Sequence, residues 1–169
     1  MKRVILWALL LAVGVFSGFE VASFAKGGDE AEIRTLAQNF ATAFRAKDLD
    51  KVMAPYERSD KFVVYDVVPP RQYTGFEAYK KDFAEFFGMF SGPVTFDIVE
   101  LNITTEGNFA YSYAIDHFSG DLKAGGKMDA TVRVTDVYRK IGGKWLIVHE
   151  HVSVPVDLAT AKADLQSKP

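Results

Sequence analysis

The chain of 169 residues contains no cysteine, which excludes disulfide bonds and a lipid anchor on an N-terminal cysteine. It has three histidines, a formal net charge of −2 and no basic stripe, so nucleic-acid binding is disfavoured. The sequence also lacks internal repeats, low-complexity tracts and linkers. These absences indicate a single domain whose stability comes from its hydrophobic core.

Aromatic residues are abundant by contrast, with 14 phenylalanines and 7 tyrosines in a chain that is 49% hydrophobic. A chain of this length can bury a sizeable core. Because each aromatic side chain covers a large apolar area, this many rings can line a pocket as well as fill that core. The composition is therefore compatible with a ligand-binding function.

The N-terminus, residues 1–25, has the pattern of a secretory signal peptide. Lys2 and Arg3 precede an apolar run at residues 4–16, and small residues near position 25 suit a cleavage site. A membrane anchor is the alternative, but the run is shorter than the roughly 20 residues that a spanning helix needs. We expect an exported protein, periplasmic or secreted, with no membrane attachment after cleavage.

Helix signals come first in the remaining chain. Asp29 and Glu32 form a capping pair that predicts the start of a first helix, and Asp48 is a candidate N-cap of a short second helix. A capping box that begins at Thr74 predicts a third helix, whose apolar face is rich in phenylalanine. One strand, residues 62–68, is predicted between the second helix and the third.

The second half of the chain reads as long strands. The apolar parity along residues 94–103 switches near residues 98–100, which indicates a β-bulge. Two later strands form a hairpin around a glycine pair, and a polar tail, residues 158–169, follows it. This order predicts an α+β domain over residues 26–157, with three N-terminal helices packed on one face of a curved antiparallel sheet.

The last hairpin turns at Gly142 and Gly143, because glycine tolerates the positive φ of a two-residue turn. Counting back from that turn places Asp136 opposite His149. A carboxylate beside an imidazole fixes its tautomer and raises its pKa, which suits a general acid or base. The alternative interpretations are a structural cross-strand pair, or a three-residue loop that brings His151 opposite Arg133.

The same face of the hairpin carries Trp145 and His151 beside His149, which makes both of them candidates for ligand contact. The His-x-His spacing also suggests a metal site with His117 as a third ligand. Since the neighbouring residues are not obvious ligands, we predict neither a metal nor a cofactor.

Three motifs carry a resemblance to a known superfamily. The first is the A-x-D-L-D-x-V turn at residues 46–52, and the second joins Tyr65-Asp66 to the G-x-E-A-Y run at residues 75–79. The third is the T-x-V-Y-R-x-x-G-G-K-W-x-x-V-H-x-H run at residues 135–151. Together they resemble the NTF2-like superfamily of cone-shaped α+β domains. This superfamily includes ketosteroid isomerases, SnoaL-type cyclases and, most similar to the third motif, the association domain of calmodulin-dependent kinase II.

The resemblance implies further site residues. Asp66 lies near the position where ketosteroid isomerases keep their catalytic aspartate, so it is a candidate base. A tyrosine would then supply a phenol to the site, with Tyr56, Tyr65, Tyr111 and Tyr113 as candidates. The basic pocket positions of the kinase association domain fall on Asp116, Asp136 and Val152, so an anion-binding pocket is not implied here.

Arg133 is the one basic residue in the middle of the hairpin. It could form an ion pair with Glu150 or Asp116, or it could hold a ligand carboxylate. With this residue the predicted site has two parts. The candidate catalytic residues are His149, Asp136 and Asp66. The candidate ligand contacts are His151, His117, Asp116, Arg133, Tyr56, Tyr113 and Trp145.

Two functions are compatible with these patterns. The first is a pocket for a small, largely apolar molecule, with acid–base proton transfer on a carbonyl compound by an isomerase, cyclase or hydrolase. The second is a non-catalytic binding or oligomerisation module, for which we expect a filled cone rather than a cavity. A homodimer is expected in either case, because both faces of the predicted sheet carry apolar residues.

Overall fold

The computed structural model describes residues 18–166, and their side chains from residue 27 onward. The predicted signal peptide therefore lies mostly outside the described residues, and its last part, from Gly18, belongs to the first helix. Within the described residues, no helix is both long enough and apolar enough to span a membrane. The helices are α1 (Gly18–Arg45), α2 (Leu49–Met53) and α3 (Phe76–Gly88).

Within the described residues, eight strands accompany the helices. The first six are β1 (Val63–Tyr65), β2 (Tyr73–Thr74), β3 (Phe90–Glu106), β4 (Phe109–Leu122), β5 (Lys127–Ile141) and β6 (Lys144–Ser153). They form one sheet in the order β2-β1-β6-β5-β4-β3, in which only β1 and β6 run parallel. Two short strands, β7 (Val156–Asp157) and β8 (Lys162–Ala163), form a separate hairpin. The predicted α+β architecture, with helices packed on a curved sheet, is confirmed.

Of the three predicted helix starts, one is confirmed and two are wrong. Asp48 is the N-cap of α2, and its carboxylate accepts from the backbone N of Lys51 at 3.2 Å, as predicted. The capping pair at Asp29 is wrong, because α1 begins earlier and Asp29 accepts from Trp145 instead. The capping box at Thr74 is also wrong. Thr74 lies in β2, and the N-cap of α3 is Gly75, whose φ of 87° turns the chain into the helix.

Two one-residue β-bulges bend the described part of the sheet, and a further register shift lies between Phe90 and Val94 at the start of β3. The predicted bulge in β3 is confirmed, because the register with β4 shifts between Ile98 and Glu100. The second bulge lies in β6 and was not predicted. The glycine turn has two residues, as expected, but the pairing then moves from Tyr138 opposite Ile147 to Val137 opposite His149. Val148 is the additional residue, and from there on each β6 side chain lies on the face opposite to the predicted one.

The core lies between the helices and the concave face of the sheet. Phe44 of α1 is at its centre, with its ring 4.5 Å from that of Phe96 and 5.2 Å from that of Phe87. Trp145 is 4% exposed and donates through Nε1 to Asp29 at 3.2 Å, which attaches the last hairpin to α1. The phenylalanine-rich face of α3 packs into this core as predicted, yet it does not fill the space above the middle of the sheet.

Candidate functional site

A cavity of about 370 Å³ lies between the helices and the concave face of the sheet. Its walls are mostly apolar, with the rings of Phe40, Phe44, Phe83, Phe86, Phe96 and Phe118 among them. Acidic side chains interrupt these walls: Asp66, Asp82, Glu85, Asp116, Asp136 and Glu150. An apolar cavity with a few convergent polar groups is the usual form of a small-molecule site.

Glu150 enters the cavity because of the bulge in β6, and it is 5% exposed. Its carboxyl accepts a hydrogen bond from Tyr56 Oη at 2.7 Å and another from Tyr79 Oη. Burial raises the pKa of Glu150 well above its usual range, and the neighbouring charge of Asp136 raises it further. The two phenols oppose this shift, because a hydrogen bond to a carboxylate favours the charged form.

Asp136 lies directly opposite Glu150 on β5. Tyr138 Oη donates to its Oδ2 at 2.9 Å, and Ser112 Oγ lies 3.1 Å from that phenol oxygen. Since the phenol proton is directed to Asp136, the serine hydroxyl is the donor in the second bond. Burial raises the pKa of Asp136 to about 6. Its Oδ1 is buried and has no hydrogen-bond partner within the described part of the chain.

Asp116 is the most isolated of the buried acids. It lies on β4 between Ile98 and Val132, its partners on the two neighbouring strands, and it is 9% exposed. Burial, with a smaller contribution from the charge of Glu150, raises the pKa of Asp116 to about 7. Its Oδ1 is likewise buried without a partner among residues 27–166. A carboxyl group with this pKa can either give or take a proton at neutral pH.

Asp66 follows β1 and lines another part of the same cavity. Its Oδ1 accepts from the backbone N of Val67 at 2.5 Å, and burial raises its pKa to about 6. Asp82 of α3 is nearby in electrostatic terms, because its charge also raises the pKa of Asp66. Tyr73 Oη donates to Asp82 at 2.6 Å. The cavity thus holds several carboxyl groups that titrate in different ranges, as acid–base chemistry requires.

Four of the ten predicted site residues line this cavity: Asp66, Asp116, Asp136 and Tyr56. The prediction that Asp136 pairs with His149 is wrong, because Glu150 lies opposite Asp136 and His149 lies on the other face. His149 Nδ1 donates to the backbone oxygen of Val63 at 2.7 Å. Trp145 is buried beneath α1 and does not line the cavity.

The remaining predicted residues lie on the convex face. His151 and Tyr113 are exposed there, and the Nε2 of His117 lies 2.8 Å from Asp129 Oδ1. The predicted ion pair of Arg133 with Glu150 or Asp116 is wrong, because Arg133 lies opposite Ser153 and Ile115, on the face away from both acids. In the part of the chain that the structure describes, no group of three His, Asp or Glu side chains could hold a metal ion.

Sequence reasoning missed Glu150, Tyr79 and Tyr138 as members of the site. Tyr79 carries a hydroxyl group on an otherwise apolar helix face, and Tyr138 carries one on the strand face that also holds Asp136, which was an available signal. A buried phenol needs a hydrogen-bond partner, so each of them implied a polar group in the core. No comparable signal marked Glu150, whose place in the cavity depends on the bulge at Val148.

A helix-covered, curved sheet around an acidic and aromatic cavity defines this protein as a cone-shaped α+β domain with an internal cavity. The model of the SnoaL-like domain family matches residues 33–157. The chain therefore belongs to the SnoaL-like family within the NTF2-like superfamily, as its motifs predicted. No curated protein sequence matches the chain.

Solved structures give the same fold. An NTF2-like protein of unknown function from Pseudomonas putida is 32% identical, with a TM-score of 0.75 over 85% of this chain and 98% of its own. An NTF2-like superfamily protein from Salmonella enterica is 20% identical, with a TM-score of 0.70 over 78% and 94%. A ketosteroid isomerase-like protein from Erwinia carotovora is 22% identical, with a TM-score of 0.61 over 73% and 93%.

Proposed function

We propose that the protein binds a small, largely apolar molecule in the cavity and transfers protons on it by acid–base chemistry. The observation that carries this proposal is Asp116, a carboxyl group with a pKa near 7 and an unpartnered oxygen in an otherwise apolar wall. A purely structural carboxyl in such a place would be expected to have hydrogen-bond partners for both oxygens. Perturbed pKa values in a cavity are typical of functional sites.

The proposed reaction uses two carboxyl groups that line one cavity. Asp66, with a pKa of about 6, is mostly ionised at neutral pH and takes a proton from the ligand. Asp116, with a pKa of about 7, is about half protonated there and gives a proton to an acceptor atom of the ligand. Glu150 and Asp136 accept hydrogen bonds from the phenols of Tyr56, Tyr79 and Tyr138, and this network holds the cavity floor in place.

The alternative is a non-catalytic binding or oligomerisation module. It predicted a cone filled by side chains, and the cavity of about 370 Å³ disfavours it. The ketosteroid isomerase-like protein among the similar structures is compatible with proton transfer, but it shares only 22% of the sequence and supports the fold alone.

The test of catalysis uses 2-tetralone, a bicyclic apolar ketone whose α-hydrogens exchange slowly with solvent. We expect the wild-type protein to accelerate deuterium uptake from D₂O, measured by NMR, and Asp66→Asn to abolish the acceleration. Asp121→Asn, an exposed aspartate on β4, is the matched control and should keep it. If uptake proceeds no faster with protein than with an equal concentration of acetate, proton transfer on such a ketone is excluded.

Binding is tested separately with 1-naphthylmethanol, a neutral apolar alcohol, by titration calorimetry. Ala114 lines the cavity, so Ala114→Phe adds a ring to the space that the ligand would occupy. We expect saturable binding to the wild type and none to this variant. An unchanged affinity in Ala114→Phe would place the bound molecule elsewhere on the protein.

We also propose a location and an oligomeric state for the protein. We infer export from the predicted signal peptide, and fractionation of cells that express the full chain tests it. The proposed assembly is a homodimer through the convex face of the sheet, where Tyr65, Tyr111 and Tyr113 are all more than 40% exposed. A second copy of this face would remove those rings from water.

A further inference from the structure

The charges around the cavity all have one sign. Six carboxyl groups line it, and among the described residues that line it there is no Lys, Arg or His. Buried carboxylates are normally paired with a cation, because an unpaired buried charge is costly. The described residues supply no such partner here. A ligand with a carboxylate would add to the repulsion, whereas a cationic ligand would relieve it.

The hydrogen bonds point to the same kind of ligand. The phenol protons of Tyr56, Tyr79 and Tyr138 are all donated to Glu150 and Asp136, so none of them is free for a ligand. What is left unpartnered is an acceptor, Oδ1, on each of Asp116 and Asp136. Asp116 is nine-tenths buried and lines the cavity, so its carboxyl group borders the space that a ligand would occupy.

From this arrangement we infer that the ligand is a small apolar amine, whose nitrogen lies as an ammonium group against the carboxyl groups of Asp116 and Asp136. An ammonium group has three N–H donors and no acceptor, which matches two free acceptors and no free phenol donor. The inference rests on the proposed function, because it concerns the same cavity, in which an amine that arrives neutral would be the acceptor of the Asp116 proton.

The walls suit the rest of such a molecule. Phe96 and Phe118, opposite each other on β3 and β4, lie on the same face as Asp116. Aromatic faces attract a nearby cation and also bury an apolar body, so the rings favour an amine over a zwitterion or a diamine. A second charged group on the ligand would have to lie against these rings without a partner.

Proton balance follows from the state in which the amine arrives. A neutral amine takes the proton of the Asp116 carboxyl, so that its O–H bond breaks and an N–H bond forms within the cavity. A cationic amine binds the ionised carboxylate instead, and any proton that Asp116 held is released to the buffer. Calorimetry in two buffers of different ionisation enthalpy at pH 7 therefore detects proton release on binding of an ammonium ion.

The experiment compares three probes with one ring system: 1-naphthylmethylamine, 1-naphthylmethanol and 1-naphthoate. We expect the amine to bind at least about tenfold more tightly than the alcohol, because charge-assisted hydrogen bonds are the stronger ones, and the carboxylate not to bind. If the alcohol binds as tightly as the amine, or more tightly, the inference of an amine ligand is wrong while the proposed binding function stands. If none of the three binds, both are wrong.

Asp116→Asn locates the interaction, since it keeps the shape of the side chain and removes its charge. We expect it to lower the affinity for the amine by about tenfold or more and to leave that for the alcohol within about threefold. Asp136→Asn is a second variant with the same expectation, and Asp121→Asn, on the exposed part of β4, should change neither affinity. Full affinity of both cavity variants for the amine would overturn the inference.

Discussion

Glu150 and Asp136 lie opposite each other on neighbouring strands, in a part of the molecule that is walled by aromatic rings. Two buried carboxylates so close together are tolerated only if protons or hydrogen bonds reduce their charge. Three tyrosines provide those bonds, through Tyr56 and Tyr79 to Glu150 and Tyr138 to Asp136. At the scale of the residue, the site is therefore a set of acids whose pKa values are set by burial.

Asp116→Asn should change how stability depends on pH. Burial raises the pKa of Asp116 from 3.8 to about 7, so the folded state holds this proton more tightly than the unfolded state does. Ionisation of Asp116 therefore lowers the free energy of unfolding, by up to about 4 kcal/mol, as pH rises from about 4 to about 7. Urea titrations at pH 5 and pH 8 measure the free energy of unfolding. Between these two pH values it should fall less in Asp116→Asn than in the wild type.

Asp121→Asn is the control for that measurement, and it should keep the wild-type dependence. Glu150, Asp136 and Asp66 have pKa values raised in the same direction, so some decline should remain in Asp116→Asn. If the free energy of unfolding falls equally with pH in the wild type and in Asp116→Asn, Asp116 is not buried as described.

Tyr79→Phe should destabilise the protein although it removes a single oxygen atom. The hydroxyl donates to Glu150, and its loss leaves a buried carboxyl with one bond fewer, at a cost of about 1–3 kcal/mol. Tyr113→Phe is the matched control, because Tyr113 is 53% exposed on the other face and should change stability by less than about 0.5 kcal/mol. Thermal unfolding of both variants and the wild type measures this difference. Equal melting temperatures of Tyr79→Phe and Tyr113→Phe would contradict the described hydrogen bond.

At the scale of the element, the two bulges differ in how visible they are in the sequence. In β3 the apolar residues change from Phe96 and Ile98 to Leu101 and Ile103, so the switch of parity can be read directly. In β6 residues 145–148 are apolar on both faces and the three that follow are polar on both faces, so the alternation gives no sign of an additional residue. Hydrophobic patterning therefore finds a bulge only where one face of the strand is polar.

Gly120→Ala tests the close packing of β4 against the start of β3. A Cβ atom at position 120 would lie 2.7 Å from Cδ1 of Phe90 and 3.3 Å from the backbone oxygen of Pro93. Because the Phe90 ring is itself buried, we expect a loss of about 1–3 kcal/mol in the free energy of unfolding. Gly92→Ala in β3 meets no atom within 4 Å and should be nearly neutral. A neutral Gly120→Ala would mean that Phe90 can move aside.

At the scale of the whole molecule, the two faces of the sheet carry different groups of side chains. The concave face carries the cavity, while the convex face carries exposed tyrosines and all three histidines, His117, His149 and His151. The histidines are therefore candidates for roles at the proposed dimer contact rather than in the cavity. The C-terminal segment contacts the edge of the sheet, because Thr131 N of β5 donates to Leu165 O at 2.9 Å.

Tyr113→Glu should convert the proposed dimer into a monomer, because it places a charge in the middle of the apolar contact. Size-exclusion chromatography with light scattering gives the mass directly. Leu158→Glu is the control, since Leu158 is 94% exposed in the C-terminal segment and lies outside the convex face. A monomeric wild type, or a Tyr113→Glu variant that remains dimeric, would refute this contact.

Much of the fold was predictable from the sequence. Local signals such as the Asp48 cap, the Gly142-Gly143 turn and the parity switch in β3 depend on neighbouring residues alone, and all three were confirmed. The order of the predicted elements also gave the α+β architecture, and three motifs carried the resemblance to the NTF2-like superfamily. The capping signals at Asp29 and Thr74 failed, because contacts with distant strands determine the conformation there.

The membership of the site was decided by the tertiary structure. Asp66, Asp116, Asp136 and Tyr56 could be proposed from the sequence, but the choice between His149 and Glu150 depended on one additional residue in β6. The bulge in β6 leaves no sign in the local apolar pattern, in contrast to the bulge in β3, so only the folded sheet reveals it. The sequence determined which chemical groups the last hairpin offers, and the bend of the sheet determined that the carboxyl group, not the imidazoles, faces the cavity.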